Sequence, residues 1–188
     1  DFNAAERSAP VLATKRARYK PEEVWEKLVS GGGFSDEKLV PYLTFPFDQR
    51  WIYYDSRFKL LNEARSELGE IVPDNEFLIT VPEPRKLSEA LPAYSRALVN
   101  LHVQERGCVV IPREVQGEGL FAGRLANIAE PVWTALRDHF GLTGRREDVA
   151  ARTLVGDLLR VCLALMHAPA YQADHKSALG ADWAHVPI

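Results

Sequence analysis

The chain has 188 residues, of which 46% are hydrophobic and 26% are charged, and its formal net charge at pH 7 is −3. These values are typical of one soluble globular domain with a sizeable core, and they exclude a polybasic protein of the histone kind. No apolar run is long enough for a signal peptide or a transmembrane helix. Cys108 and Cys162 lie in apolar segments and are interpreted as reduced core residues of a cytoplasmic protein.

The first 35 residues are predicted to be a connector and a short helix that follow an upstream domain. Residues 1–20 are polar, basic towards their end and without periodicity. A helix is predicted to begin at Pro21 and to end before Gly31. The chain begins with an aspartate and its sole methionine is Met166, so it is expected to be a piece of a longer protein. Residues 36–188 are expected to form the main domain.

Strand patterns are confined to the first two thirds of the chain. The predicted strands are residues 38–43, 50–54, 76–81, 97–103 and 108–111, which are rich in β-branched and aromatic side chains. Pro46 forces a turn or a sheet edge between the first two strands. The last two are predicted to form a buried pair, joined by the polar turn at residues 104–107. A glycine-rich loop follows at residues 116–123.

Helical periodicity dominates the last third. The predicted helices are residues 60–68, 130–140 and 147–167 and a short one from Pro169 to Gly180. The residues expected to be buried are Val132, Trp133, Leu136 and Phe140 in the second of these helices and Val149, Leu154, Leu158, Cys162 and Leu165 in the third. The fold class is therefore α/β (α+β), a single domain in which C-terminal helices cover a mixed sheet.

No catalytic or metal-binding constellation is found in the sequence. His167, His175 and His185 are eight and ten residues apart, whereas two metal ligands on one helix face are four apart. Neither cysteine has an activating neighbour, and no Gly-x-Ser-x-Gly turn or nucleotide-binding glycine loop occurs. The chain is predicted to contain no catalytic centre and to bind no metal or cofactor. A small enzyme with an unfamiliar site is the least favoured alternative.

Polar residues of the types that contact nucleic acids gather in the middle of the chain. Arginine pairs with guanine, glutamine pairs with adenine, and serine or tyrosine donates to phosphate. The candidate residues are Arg50, Tyr53, Tyr54, Arg57 and Lys59, then Arg85, Lys86, Ser88 and Arg96, and finally Gln104, Arg106 and Arg113. From composition alone, a solvated rim with ordinary ion pairs remains an alternative. The Asp48–Arg50 pair is explained equally well as an architectural pair that orders the turn.

Four motifs occur in order between residue 42 and the C-terminal residue. They are TFPFDQRWIYYD at residues 44–55, NEFL at 75–78, LMHAPAY at 165–171 and ADWAHVPI at 181–188. Together they resemble the C-terminal target-recognition (specificity) domain of type ISP-like single-chain restriction–modification enzymes and adenine-specific DNA methyltransferases. The resemblance covers most of the chain.

The resemblance implies sequence-specific recognition of double-stranded DNA. It also implies an upstream methyltransferase domain in the same chain, with S-adenosylmethionine as the cofactor of the parent enzyme, and nuclease and ATPase domains in some relatives. Loops are expected to read the bases, with Arg106 contacting a guanine and Lys86 a phosphate. The alternative is a protein–protein interaction module of a phage-defence system that does not itself read DNA.

Overall fold

The structure of the protein is a computed structural model that describes residues 21–57, 71–81, 91–100, 102–104, 108–117 and 123–179. The predicted helix at residues 60–68 lies outside the described residues. So do the closing ADWAHVPI motif and the candidate residues Lys59, Arg85, Lys86, Ser88 and Arg106.

The helices and strands follow one another in an order close to the predicted one. The helices are α1 (Pro21–Ser30), α2 (Glu130–Phe140), α3 (Val149–His167) and α4 (Pro169–Leu179). The strands are β1 (Leu39–Phe45), β2 (Asp48–Tyr53), β3 (Phe77–Thr80), β4 (Ala93–Ser95), β5 (Leu98–Val99), β6 (Val109–Pro112), β7 (Glu114–Gln116) and β8 (Arg124–Ala126). None of the described helices combines the length and apolarity needed to cross a bilayer.

The described strands form three small sheets around the central strand β3. β1 and β2 form an antiparallel hairpin, and β5 adds in parallel to the other edge of β1. β3 lies between β4 and β6 in the second sheet, and β7 pairs with β8. Phe77 and Ile79 are 0% and 1% exposed, and they pack against residues of the first sheet, such as Val40 and Val99. The two three-stranded sheets therefore share one core, as expected of a single α/β domain.

One strand pairing predicted from the sequence is wrong. Residues 97–103 and 108–111 do not pair with each other, because β5 is a two-residue strand on β1 and β6 pairs with β3 in the other sheet. The strands β4, β7 and β8 were not predicted. Each has only three residues, too few for alternation to be visible, and side-chain pattern alone does not identify a strand's partner.

The helices α2 and α3 begin and end close to the predicted positions. Gly141 ends α2 with φ of 63°, a left-handed conformation that suits glycine. Trp133 of α2 is buried against Ala151 and Val155 of α3 and against β8. The exposure of Val132 (41%), Phe140 (60%) and Val149 (68%) corrects the predicted burial of these side chains. Ala151 and Val155 of α3 are buried and pack together with Ala126 of β8.

Candidate nucleic-acid interface

A buried asparagine joins the start of β3 to the β6–β7 corner. Asn75 is 1% exposed, and its side-chain amide donates to the carbonyl of Glu114 at 2.9 Å. Its Oδ1 accepts the backbone N–H groups of Glu76 at 2.9 Å and Glu114 at 3.1 Å. One side chain thus satisfies three buried backbone groups and holds two glutamates side by side.

The first of these glutamates is a hub for three guanidinium groups. Arg160 of α3 donates to both carboxylate oxygens of Glu76, at 2.7 and 2.8 Å. Arg113 and Arg96 follow at 3.7 and 3.9 Å. Burial raises the pKa of Glu76, but hydrogen bonds from Tyr94 and Arg160 and the charge of the arginines outweigh it, so its pKa is lowered. The carboxylate is therefore ionised at neutral pH.

Glu114 has a similar set of partners. Arg113 donates to its Oε1, and Arg124 and Arg152 lie 3.6 and 3.7 Å from its Oε2. We call the following set of residues the arginine network: Glu76, Glu114, Arg96, Arg113, Arg124, Arg152 and Arg160. It links β3, β7, β8 and α3.

A glycine in α3 makes room for the arginine network. A Cβ atom at Gly156 would lie 2.9 Å from Cδ of Arg113 and 3.4 Å from Oε2 of Glu76. A side chain at this position would force Arg113 or the helix to shift. The glycine therefore costs helix propensity but allows the close approach of helix and ion pairs.

The arginine network buries its negative members and exposes two of its positive ones. The side chains of Glu76 and Glu114 are 7% and 5% exposed, whereas those of Arg96 and Arg160 are 78% and 46% exposed. Arg96 is anchored through its Nε, 3.3 Å from the hydroxyl of Tyr94. The surface at this point thus presents two guanidinium groups whose shared partner, Glu76, is buried, and Arg160 also pairs with the exposed carboxylate of Asp157.

A second buried carboxylate, also paired with cations, lies just after β2, at the open end of the β1–β2 hairpin. The side chain of Asp55 is 1% exposed, and it pairs with Lys38 at 2.6 Å and with Arg57 at 2.7 Å. The Arg57 hydrogen bonds lower the pKa of Asp55 far below its ordinary value against the effect of burial, and Lys38 contributes further. The side chain of Arg57 is 55% exposed. The cation again faces outward.

The pKa shift of Asp55 predicts an acid-sensitive contribution to stability. Because the folded pKa is lowered, this contribution is present above the unfolded pKa of about 4 and is lost as the pH falls below it. We expect Asp55→Asn to lower the free energy of unfolding at pH 7 by about 2 kcal/mol and to flatten its decline below about pH 4.

Urea titrations at several pH values measure this effect, and Asp48→Asn is the matched control. Asp48 also pairs with an arginine two residues later, Arg50, but the two side chains are 35% and 66% exposed. Its replacement should cost less than about 1 kcal/mol. Equal losses from the two substitutions would contradict the burial argument.

The structure places the described candidate residues in two groups. Arg50, Arg57 and Arg96 are exposed at the surface. Tyr53 is half-buried, stacks on Phe34 with ring centroids 5.1 Å apart and accepts a hydrogen bond from the backbone of Ser35. The structure therefore brings the arginines outward and uses Tyr53 to fix the segment before β1.

The other described candidates have partners within the fold, and their contact with DNA stays a prediction. Tyr54 is 8% exposed and belongs to the core around Phe77. Gln104 donates to the carbonyl of Leu91 at 2.8 Å, and its Oε1 is buried. The side chain of Arg113 is 19% exposed and lies between the two glutamates. Gln104 and Arg113 are thus held by groups of the fold itself, the carbonyl of Leu91 and the two glutamates.

Sequence reasoning missed two features of the surface. Arg160 is flanked by apolar residues in a helix, and nothing near it in sequence shows that it meets Glu76, 84 residues away. Phe47 was noted only as part of a motif, yet it is fully exposed and has φ of 66°. Its position after Pro46 in a tight turn was the one available signal.

Within the described residues, no group of three or more histidine, cysteine or acidic side chains could hold a metal ion. His167 lies with its Nε2 2.8 Å from the carbonyl of Pro92. The described histidines thus provide no metal site of this kind.

Solved structures with a similar fold come from DNA-bound enzymes. A segment of DrdV, in a cryo-EM structure of a DrdV–DNA complex, has the same fold with a TM-score of 0.57 and 17% identity, over 85% of this chain and 15% of that one. The Type ISP restriction–modification enzymes LlaGI, as a nuclease-deletion mutant with a DNA substrate mimic, and LlaBIII, bound to DNA, match at TM-scores of 0.49 and 0.49 with 14% and 13% identity. The match to LlaGI covers 90% of this chain and 14% of that one, and the match to LlaBIII covers 87% of this chain and 10% of that one.

The chain therefore spans a small part of the proteins that share its fold. A family model gives the finer assignment, since the Type ISP C-terminal specificity domain matches residues 10–188. The chain belongs to this family, which confirms the resemblance drawn from its four motifs. No curated protein matches the chain.

Proposed function

We propose that this domain recognises a specific sequence in duplex DNA on behalf of a restriction–modification enzyme. One observation carries the proposal: the domain buries carboxylates and exposes the cations paired with them, at Glu76 with Arg96 and Arg160 and at Asp55 with Arg57. A chain with a net charge of −3 thereby presents local cationic surfaces, which is what attraction to phosphates requires.

The exposed arginines are assigned to the DNA backbone. Guanidinium groups bind phosphate oxygens through two parallel hydrogen bonds, and a buried carboxylate that fixes their orientation reduces the entropy lost on binding. Contacts of this kind set the register of a protein on the duplex, while base edges supply the specificity.

Base reading is assigned to segments that the sequence predicts to be loops. Arg85, Ser88 and Arg106 are proposed to contact base edges, and Lys59 and Lys86 to contact phosphates. The upstream partner is proposed to be a methyltransferase domain of the same chain that uses S-adenosylmethionine, in a cytoplasmic enzyme. The family assignment, together with the DNA-bound state of DrdV, supports these proposals.

The phosphate assignment of Arg96 predicts a change in salt dependence. We expect Arg96→Gln in the full-length protein to weaken binding to all duplexes alike and to reduce the slope of log K against log salt by about one unit. The measurement is a salt series of affinities for duplexes selected from a random-sequence pool. Folding should be preserved, because the Arg96–Glu76 distance is 3.9 Å and the side chain is 78% exposed.

Arg137→Gln is the control for this experiment. Arg137 also has a carboxylate at 3.9 Å, that of Asp138, but it lies on α2, outside the arginine network. The two variants lose the same charge. A slope that changes equally in both would show a general charge effect and remove the assignment of Arg96. Failure of the wild-type protein to retain any duplex would favour a protein–protein module.

A further inference from the structure

The tip of the β1–β2 hairpin has an unusual composition and conformation. The hairpin tip is defined as Phe45–Asp48, with Pro46 and Phe47 as the two residues between the last strand pair, Phe45 and Asp48. Phe47 is 104% exposed and has φ of 66°. Positive φ at the second position of such a turn is normally occupied by glycine or asparagine, because a Cβ atom is strained there.

No packing of the Phe47 side chain against the described residues offsets this backbone strain. A fully exposed ring gains nothing from burial, so the fold itself supplies no reason for phenylalanine at this position. Two more aromatic side chains of the hairpin, Phe45 and Trp51, are 59% and 67% exposed. Phe45 and Phe47 lie at the projecting end, and Trp51 lies further back on β2, opposite Pro41. Exposed apolar side chains grouped along one hairpin are the kind of feature that marks a binding site.

The shape of the hairpin fits a groove of DNA. β2 is an edge strand, and β5 contacts β1 only at Tyr42 and Leu43, so residues beyond Leu43 project as a two-stranded ribbon. A two-stranded ribbon fits the major groove, which is about 12 Å wide. The guanidinium of Arg50, 66% exposed and paired with Asp48 of the hairpin, lies on β2 opposite Tyr42, just before the projecting part. From there it can bind a phosphate beside the groove.

The position of Arg96 gives the hairpin a second point of contact. Leu98 pairs with Tyr42 in parallel, and Arg96 lines one cavity together with Val40, five residues before Phe45. At about 3.3 Å per residue the tip extends roughly 17 Å beyond Arg96 along β1. This distance is larger than the width of the major groove, which is about 12 Å. Arg96 can therefore bind a phosphate of the DNA strand that borders the groove while the hairpin tip lies inside the groove.

We propose that Phe47 stacks on a nucleobase of duplex DNA as a wedge that opens one base step, with Trp51 and Phe45 contacting the groove around it. Apolar side chains inserted in this way unstack neighbouring bases and kink the duplex. The proposal rests on the proposed function of DNA recognition. The assigned partner is DNA; docking of the rings on another protein surface would leave the bases stacked.

The test compares base stacking in complexes of the wild-type protein and two variants. Full-length protein selects duplexes from a random-sequence pool, and the enriched duplexes are treated with permanganate and diethyl pyrocarbonate, which modify unstacked thymines and purines. Phe47→Gly removes the ring and adopts the positive φ without strain, so its thermal unfolding midpoint should not fall. Phe47→Tyr keeps a ring of similar shape and serves as the matched control.

The wild-type protein and Phe47→Tyr are expected to create a reactive base in the bound duplex. Phe47→Gly should abolish that reactivity and weaken binding roughly tenfold. Reactivity that persists in Phe47→Gly, or that is missing in the wild-type complex, would overturn the wedge while leaving DNA recognition intact. If the wild-type protein selects no duplex, the proposed function itself fails, and the two failures are thereby distinguished.

Discussion

Replacement of Asn75 by alanine is expected to lower the free energy of unfolding by at least about 3 kcal/mol. The amide of Asn75 satisfies the N–H groups of Glu76 and Glu114 and the carbonyl of Glu114, all of them buried. Each buried group left without a partner costs about 1–3 kcal/mol. Because whole domains are stable by only about 5–15 kcal/mol, this loss is a large share of the free energy of unfolding.

Chemical denaturation followed by circular dichroism measures this loss, with Asn127→Ala as the matched control. Asn127 also donates its side-chain amide to a backbone carbonyl, that of Pro112, at 2.7 Å, but from a half-buried position. Its removal should cost about 1 kcal/mol. A loss in Asn75→Ala no greater than in Asn127→Ala would show that the β3 junction does not depend on this side chain.

Replacement of Glu76 by glutamine is the second substitution with a large expected effect. It removes the negative charge that pairs with Arg160, Arg113 and Arg96. It also places the N–H groups of the new amide against guanidinium groups, which are hydrogen-bond donors themselves. Breaking a buried ion pair costs about 3–5 kcal/mol. We expect a loss of about 3 kcal/mol, at the lower end of that range, because Arg160 is 46% exposed and can turn towards water.

The control for Glu76 uses the other carboxylate on the same guanidinium. Asp157 pairs with Arg160 at 2.7 Å, as Glu76 does, but its side chain is 60% exposed. Asp157→Asn should cost less than about 1 kcal/mol. Since the distance and partner are the same, a comparable loss in both variants would show that burial does not set the strength of the pair.

The elements that the sequence predicted well are those with strong local signals. Pro21 begins α1, Gly141 ends α2, and Pro46 lies in the turn between β1 and β2, each for a backbone reason that acts within a few residues. The strand β3 was predictable because it is a continuous apolar run bounded by polar residues.

The features that the sequence did not predict depend on partners far apart in the chain. The pairing of β5 with β1 is decided by packing between sheets, and no local pattern specifies it. Arg113 looked like a surface arginine in a loop, but two glutamates buried by the fold recruit it inward. Arg160 looked like an ordinary helical arginine and is part of the cationic surface.

Exchange of the domain tests the central claim most directly. In the full-length protein, the part that matches the family model, residues 10–188, would be replaced by the C-terminal specificity domain of a Type ISP enzyme whose recognised DNA sequence is known. Both proteins would then select duplexes from one random-sequence pool. We predict that the enriched sequence changes to that of the donor enzyme. An enriched sequence that stays the same after the exchange would contradict the assignment of DNA specificity to this domain.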